Sequence, residues 1–584
     1  MTAAATTTPP QVSASTAQMA LQLARIETRR AVFHPATIVG FALAVWAMWG
    51  LSRGEAPVLN RAGANTSLPL ALIGAGSLIA VSEASIRMWR TEHSEAIDIA
   101  PASPRTRTTG LLIAASSPVG LALVLQSAVL GLMMLNRPVT TLDWWDALAG
   151  PATVALLITA GVAAGRWAPS RLTGPLLMVL ILGLSILFGS YGIRQEFGDW
   201  TAWLAPLVPL EFDPVEIAFR PTARHMLYLI ALIGVFATIA LLRGGTRRRV
   251  ILVSSLAAGL GLVVVGVALQ SRAFQRYDFD QTLAAYLPPD ADYVCDKRAT
   301  VTYCAYPAYQ GWIEEWAALV QPVVELAPDS SHGQTLVVRQ YPTRALDLLA
   351  NGSGTHMDYE FGLATGMWWG RRAGGGSSAE WGDAYPFGMA LGAASWTVGL
   401  PLELTAGTWS QELGPDGQTE SHKFVPGVED VPPEEVSYQA CTTSDQGRAI
   451  VALWMAAQAS PVSEQHLRNQ IENPEYPLVE EFRNPDGSVV YGYQGLHGST
   501  GTGQPYPWYA LDFQIREAYY AYQLLSRPDD QVLDLIHANW SRLTDPSTTT
   551  LDAVTILGLE PIAGFEDQLS LAENLRFEFN PPCD

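Results

Sequence analysis

Long apolar stretches separated by short polar segments fill the first half of the chain and are missing from the second half. A helix that crosses a bilayer needs about 20 mostly apolar residues. Seven stretches reach or approach this length: Ala31–Gly50, Leu68–Ile86, Gly110–Leu135, Ala147–Gly165, Leu172–Gly192, Met226–Leu242 and Val250–Leu269. The pattern predicts a polytopic α-helical membrane domain with about seven spans over residues 31–270.

Beyond residue 270 the hydrophobic pattern is that of a water-exposed domain. Helical periodicity predicts amphipathic helices at Tyr309–Leu326, Ser444–Gln458, Trp508–Ser526 and Asp529–Leu543. Alternating runs predict strands at Asp292–Cys295, Val301–Tyr306 and Gln334–Tyr341, the first two of them joined as a hairpin. Residues 271–584 are therefore expected to form a mixed α/β domain.

The segment Thr16–His34, just before the first span, also has helical periodicity. Its apolar residues recur at helical spacing, at Met19, Leu23 and Ile26. Its other faces carry the arginines Arg25, Arg29 and Arg30. This pattern predicts an amphipathic helix at the inner membrane surface, which Pro35 ends. The cytoplasmic tail and most of this helix make up the predicted first segment, residues 1–30. The alternative is a plain extension of the first span.

Charge divides the chain at the same place as hydropathy. Up to Ala273 there are 20 Arg and Lys residues against 13 Asp and Glu, and beyond it 15 against 42, giving net charges of +7 and −27. The acidic second half argues against a nucleic-acid partner. If the N-terminus is inside, 13 arginines lie in inner segments and 7 in outer ones, as the positive-inside rule requires. Because seven spans is an odd number, the second domain is then expected outside the cell.

All four cysteines lie in the acidic half, which indicates disulfides and an extracytoplasmic setting for that domain. The alternative is four ordinary buried thiols. Four cysteines allow three pairings. Proximity across the predicted hairpin favours Cys295 with Cys304, which leaves Cys441 for Cys583.

Catalytic and nucleotide-binding patterns are weak in this chain. A phosphate-binding loop needs a lysine after glycine, and the only lysines, Lys297 and Lys423, follow aspartate and histidine. No His-Glu-x-x-His zinc motif occurs, and Ser499 lacks the Gly-x-Ser-x-Gly pattern of a hydrolase nucleophile. We therefore predict no catalytic residues, no metal site and no bound cofactor, and expect that the chain is not an enzyme.

The inner loop between the second and third spans carries most of the candidate functional residues. Thr91 can cap a short helix over Glu92–Ile99, whose acidic residues complement the positive helix N-terminus. Pro101 ends this helix, and Arg105 lies just before the third span. The alternative is a solvated loop that serves only topology.

This layout resembles permease subunits of ATP-binding-cassette transporters, in the type-2 exporter class. Members have an interfacial helix, a glutamate-bearing short helix in the first inner loop, and a small-Pro-x-Ser-Arg-like turn, here Ala100–Arg105 with one inserted proline. They also have a re-entrant pair before the last span, which Gly198–Arg220 fits with its tryptophans and prolines. The resemblance covers residues 16 to 245. The seventh span and the second domain extend beyond the six-span plan, and the second domain is similar to outer domains of some actinobacterial permeases.

The resemblance implies a transport function in a bacterial plasma membrane. Two permease copies, or this chain with a related permease, would work with two copies of a separate ATPase subunit that binds ATP and Mg²⁺. The inner-loop helix would be the coupling helix, with contact residues Glu92, Glu95, Ile97, Asp98 and Arg105. The outer domain would handle substrate or gate its path.

Two other classes of function remain as alternatives. A membrane-anchored extracytoplasmic hydrolase would need one span, whereas about seven are predicted. A ligand-binding receptor would need an inner signalling domain, whereas the longest inner segments are the tail and one short loop.

Overall fold

A computed structural model provides the structure of this protein. It describes residues 16–51, 58–92, 103–194, 203–207, 220–243, 249–275, 292–328, 335–341, 360–364, 379–400, 409–413, 419–423, 441–442, 445–472, 479–483, 489–493, 511–512 and 515–561. Within these residues the chain divides into two compact units, a helical one up to residue 275 and a mixed one from residue 292 onward.

The described part of the first unit consists mainly of α-helices. They are α1 (Thr16–Val32), α2 (Pro35–Leu51), α3 (Ala62–Glu92), α4 (Pro104–Ala114), α5 (Ser116–Leu135), α6 (Trp144–Trp167), α7 (Thr173–Arg194), α8 (Thr222–Arg243) and α9 (Arg249–Gln275). The predicted apolar stretches lie mainly on these helices, although the first crosses the break between α1 and α2 and the third crosses the break between α4 and α5. The helix that contains the fourth predicted span begins at Trp144, so Asp146 belongs to it.

Five stretches in the described residues are long and apolar enough to cross a membrane: Ala62–Arg90, Pro104–Leu135, Trp144–Trp167, Thr222–Arg243 and Arg249–Arg272. Helices α1 and α2 together form a sixth if a bend of 59° is accepted within one span. Within its described side chains, α7 contributes a further apolar stretch at Thr173–Ser185, and the helix itself continues to Arg194. The described structure thus gives five or six candidate spans, against the predicted seven.

Helices α3 and α6 pack side by side at the centre of this unit, and both are mostly buried. Glycines on α6 allow the close approach, since a Cβ atom at Gly161 or Gly165 would press on the backbone or side chains of α3. Helices α3, α6 and α8 run in one direction, and α2, α4, α5, α7 and α9 run in the other, as their mutual contacts show.

This alternation gives the unit two ends. The Asp146 end holds the first residues of α3, α6 and α8, and the α1 end holds α1, the last turns of α3 and the start of α4. Exposed tryptophans mark both ends of α6, Trp144 and Trp145 at one and Trp167 at the other. Trp167 lies 22 residues after Trp145, a separation of about 33 Å along the helix. That length is close to a hydrocarbon core, whose surfaces favour such tryptophans.

The second unit contains a four-stranded sheet with the strand order β1-β2-β3-β4. The strands are β1 (Val294–Arg298), β2 (Val301–Ala305), β3 (Leu336–Tyr341) and β4 (Glu360–Ala364). The predicted hairpin is confirmed: β1 and β2 pair antiparallel, and Ala299 adopts a positive φ of 49° in the turn. Strands β2, β3 and β4 are parallel neighbours. The strand predicted at Gln334–Tyr341 is confirmed from Leu336 onward.

The register of the hairpin places Cys295 opposite Cys304, and a disulfide joins them. That pairing is therefore confirmed. The backbone of Cys441 lies in a short strand, whereas Cys583 and the predicted Cys441–Cys583 bridge lie outside the described residues.

Helices make up most of the rest of the second unit. They are α10 (Trp312–Glu325), α11 (Ala379–Thr397), α12 (Gly447–Ala457), α13 (Pro461–Glu472), α14 (Ile515–Leu524), α15 (Asp529–Ala538), α16 (Trp540–Leu543) and α17 (Thr550–Ile556). Every residue of α12 is buried, so this helix, which carries few polar side chains, is the centre of the unit. Three two-stranded sheets complete the described part: β5 (Trp409–Leu413) with β6 (Thr419–Lys423), β7 (Cys441–Thr442) with β10 (Leu511–Asp512), and β8 (Val479–Arg483) with β9 (Val489–Tyr493).

Two predicted helices differ from the structure. The one predicted at Asp529–Leu543 is two helices, because the chain leaves helical geometry at Asn539, where φ is −120°. The one predicted to begin at Trp508 starts at Ile515, and Trp508 itself lies outside the described residues.

Candidate functional site

The predicted coupling residues lie around the junction between α3 and α4. Glu92 is the last residue of α3, which continues without a break from Ala62, so the prediction that Thr91 caps a separate helix is wrong. No proline or glycine interrupts the chain between Ile86 and Glu92, and the α3 helix therefore runs through Thr91. Glu95, Ile97 and Asp98 lie outside the described residues.

Beyond the junction, the sequence explains how α4 begins. The Ser103 hydroxyl accepts a hydrogen bond from the Thr106 backbone N–H at 3.2 Å, and Pro104 occupies the first helical position. Arg105 follows in the first turn with its side chain exposed. Helix α4 therefore has a fixed starting point directly after the loop.

Helix α1 packs against α4 through a buried face made mostly of alanines. This buried face contains Ala20, Ala24, Glu27 and Ala31, and a Cβ atom at Gly110 of α4 would lie 3.1 Å from the Ala20 carbonyl oxygen. The predicted apolar residues lie at the edge of this face or outside it, with Met19 and Leu23 half-buried and Ile26 exposed. Arg25, Arg29 and Arg30 are all exposed.

Glu27 joins α1 to α3 at the same end. Its carboxylate accepts hydrogen bonds from Arg30 at 2.7 Å and from Arg87 at 3.3 Å. A second contact lies nearby, between His34 and Glu83, with 3.4 Å between the ring nitrogen and the carboxylate oxygen. Since Glu83 and Arg87 are one turn apart on α3, both contacts connect the α1–α2 corner to the part of α3 that leads into the loop.

The Asp146 end has a different construction, based on a buried ion pair. The guanidinium of Arg220 donates to the Asp146 carboxylate at 2.6 Å, and both side chains are almost inaccessible, at 2% and 0% exposed. The other carboxylate oxygen accepts from the Ala64 backbone N–H at 3.1 Å, in the first turn of α3. A second guanidinium nitrogen of Arg220 donates to the Asn60 carbonyl at 2.9 Å. One ion pair thus connects α3, α6 and the segment before α8.

Asp143 extends this arrangement by one turn. It caps α6 by accepting the backbone N–H of Trp145 at 2.9 Å. Its second oxygen accepts the Thr222 hydroxyl at 2.8 Å, at the first residue of α8. Two contacts therefore join the start of α6 to the start of α8: Asp146 with Arg220, and Asp143 with Thr222.

Part of the predicted re-entrant pair is described, namely Trp203–Leu207 (the inserted segment). Trp203 is buried there, and the Pro206 carbonyl accepts the Thr153 hydroxyl at 2.8 Å. Thr153 lies nine residues into α6, about 13 Å along the helix from its first residue. The Leu204 carbonyl likewise accepts the Tyr228 hydroxyl of α8, at 3.0 Å. The inserted segment thus reaches well into the helical unit, between α6 and α8.

The residues of the Asp146 end were not singled out by the sequence reasoning. Asp146, His225 and Gln270 each flank an apolar stretch by one residue, and stretches drawn by hydropathy alone end before them. Their position beside an apolar stretch could have identified them, because polar and ionisable residues there often face the protein interior. Within the described part of the chain, no three His, Cys, Asp or Glu side chains are grouped so as to hold a metal ion.

Comparison of the chain with protein-family models, with curated proteins and with solved structures gave no match.

Proposed function

We propose that this chain is the permease subunit of an ATP-binding-cassette exporter that works with a separate ATPase subunit. The observation that carries the proposal is the arrangement at the α1 end. Helix α1 bends 59° away from α2, packs on α4 and is ion-paired to α3 through Glu27 and Arg87. An interfacial helix thus rests on both helices that bracket residues 93–102, where a coupling loop is expected.

The proposed orientation places the α1 end in the cytoplasm of a bacterial cell. The arginine asymmetry favours this orientation, with the N-terminus inside. The Cys295–Cys304 disulfide favours an extracytoplasmic second unit, because such bridges persist in oxidising surroundings. An odd number of spans, seven in the full proposal, is consistent with an N-terminus inside and a second unit outside.

In this proposal the chain binds no ATP itself. Two ATPase copies, carrying ATP and Mg²⁺, would dock on the inner loops of two permeases, either two copies of this chain or this chain and a relative. Glu92, Glu95 and Asp98 would pair with basic residues of the ATPase, Ile97 would be an apolar anchor, and Arg105 would flank the contact. The second unit would receive or gate the exported substrate outside.

The proposal is tested with Ala96→Pro in the loop. Proline removes a backbone donor and clashes with the preceding turn, which costs about 3 kcal/mol or more within a helix. We expect normal membrane insertion, but loss of the ATPase subunit when the permease is purified from its native membrane, or loss of substrate-stimulated ATP hydrolysis.

The matched control is Ala102→Pro, which lies beyond Pro101 and outside the predicted helix. It should retain both the bound ATPase and its stimulation. If correctly inserted Ala96→Pro protein couples like the parent chain, the coupling assignment is wrong. The alternative function, a membrane-anchored hydrolase formed by the second unit, would then be favoured.

A further inference from the structure

Helix α9 carries one buried polar side chain in an otherwise exposed apolar helix. Among its residues with described side chains, Arg249–Arg272, only Gly266 and Gln270 are buried. A Cβ atom at Gly266 would lie 3.1 Å from Tyr228 of α8, and Gln270 follows one turn later with no exposed surface. Helix α9 therefore directs a single amide into the first unit.

His225 of α8 is the residue that Gln270 approaches. Its ring is completely buried, lies edge-on to Trp203 with 5.2 Å between ring centroids, and lies 5.9 Å from the Tyr228 ring. The backbone of Trp203 and Pro206 and the Gln270 side chain are all close to the imidazole. The site is thus bounded by α8, α9 and the inserted segment.

The Trp203 and Pro206 carbonyls and the Gln270 amide lie within reach of the His225 ring, but their geometry falls short of well-aligned hydrogen bonds. Within the described structure, both ring nitrogens of His225 and both amide atoms of Gln270 lack a partner with the distance and angle of a hydrogen bond. Burying four such atoms costs free energy unless another group satisfies them.

We propose that His225 and Gln270 form a binding site for a small uncharged hydroxyl group, donating one hydrogen bond to it and accepting another. A neutral imidazole offers one donor and one acceptor, and a side-chain amide offers an NH2 donor and an acceptor oxygen, which suits a hydroxyl better than an ion. The hydroxyl belongs either to a bound water molecule or to an uncharged hydroxylated solute. The proposal does not depend on the ATPase partnership, so it can fail while the transport proposal stands.

Hydroxyl-radical footprinting of the full chain in lipid nanodiscs tests this site. Radiolysis of a bound water labels the side chains beside it even when bulk solvent is excluded. Trp203 and Trp316 are equally buried, at 1% and 2%, but only Trp203 lies beside the proposed site. We expect faster labelling of Trp203. Equal labelling of the two tryptophans would overturn the proposal without the need for any variant.

Gln270→Leu sharpens the test by removing one side of the site while keeping its approximate size. Labelling of Trp203 should fall to the level of Trp316. The matched control is Gln126→Leu on α5, another buried glutamine whose amide has no partner within the described residues, and it should leave Trp203 unchanged. Persistence of fast Trp203 labelling in correctly inserted Gln270→Leu protein would also overturn the proposal.

Glycerol, as an uncharged hydroxylated probe, separates the two sources of the hydroxyl group. Labelling is normalised to the exposed Trp144 to correct for radical scavenging. Concentration-dependent protection of Trp203 identifies a site that admits a hydroxylated solute. Fast labelling that glycerol does not change identifies bound water, and both results support the site.

Discussion

The two ends of the helical unit are both held by ion pairs, but the pairs differ in their surroundings. At the Asp146 end the two charged side chains are 0% and 2% exposed, and the pair also bonds backbone groups before and within α3. At the α1 end, Glu27 is buried, but its partners Arg30 and Arg87 are 60% and 48% exposed. The same type of contact is therefore shielded from water at one end and open to water at the other.

A buried pair with satisfied hydrogen bonds tolerates little displacement, because separation would leave a charge uncompensated in an apolar interior. An exposed arginine that separates from its carboxylate partner is hydrated by water instead, so the separation costs little free energy. The comparison indicates a rigid junction of α3, α6 and α8 at the Asp146 end and an adjustable one at the α1 end. In the proposed permease, an adjustable α1 end is what an ATPase subunit would need to move.

The largest expected effect is from Arg220→Leu. This change leaves Asp146 buried without its cation and should lower the free energy of unfolding by about 3–5 kcal/mol. The measurement is unfolding of the detergent-solubilised chain by denaturant, followed by intrinsic fluorescence. Arg224→Leu is the matched control, since Arg224 is exposed and donates only to the Leu269 carbonyl among the contacts described, at 3.2 Å.

The double variant Arg220→Met with Asp146→Leu separates charge from packing. Apolar residues of similar volume often replace a buried pair without loss. Stability should therefore return towards that of the parent chain. A double variant as unstable as Arg220→Leu would mean that the bonds to Asn60 and Ala64, rather than the uncompensated charge, dominate this end.

An intermediate effect is expected from Gly63→Ala. A Cβ atom at Gly63 would overlap the Asp146 backbone, which cannot move aside without disturbing α6. Overpacking of this kind costs about 1–3 kcal/mol, measured in the same unfolding experiment. Gly120→Ala on α5 is the control, because a Cβ atom there meets no described atom within 4 Å. Equal stability of the two variants would contradict a tightly packed Asp146 end.

The smallest effect is expected from Glu27→Gln at the α1 end. The lost ion pairs involve exposed arginines, so the unfolding free energy should fall by less than about 1 kcal/mol. Glu83→Gln serves as its control on α3, because the Glu83 contact to His34 is longer and more exposed. A loss for Glu27→Gln as large as that for Arg220→Leu would remove the distinction between the two ends.

Periodicity and apolar length predicted most of the elements of the fold, because each depends on local sequence. The hairpin that pairs Cys295 with Cys304 was readable from alternation and spacing. Helix ends were less predictable. The continuation of α3 through Thr91 shows that a good capping residue starts a helix only where the chain before it has already left helical geometry.

The buried polar residues could not be placed from the sequence, for a physical reason. Arg220 lies 74 residues from Asp146, and their pairing depends on how three helices pack rather than on any local pattern. The sequence does not distinguish His225 and Gln270 from other residues at the ends of spans, because each is simply the first polar position beside an apolar run. Only the direction in which α8 and α9 face one another brings them together.

The tryptophans of α6 bear on membrane thickness. Trp167 is fixed in place, since its indole N–H donates to the Ile239 carbonyl at 2.9 Å and the Arg243 guanidinium lies 5.6 Å from its ring. Trp144 and Trp145 lie about 33 Å away along the central helix. This distance sets the hydrophobic thickness of the unit. In a bilayer with shorter acyl chains, either the bilayer would thicken locally or the helices would tilt. Each response has a modest free-energy cost per ångström of mismatch. The acyl-chain length of the surrounding lipid thus becomes a variable that acts on the whole bundle at once.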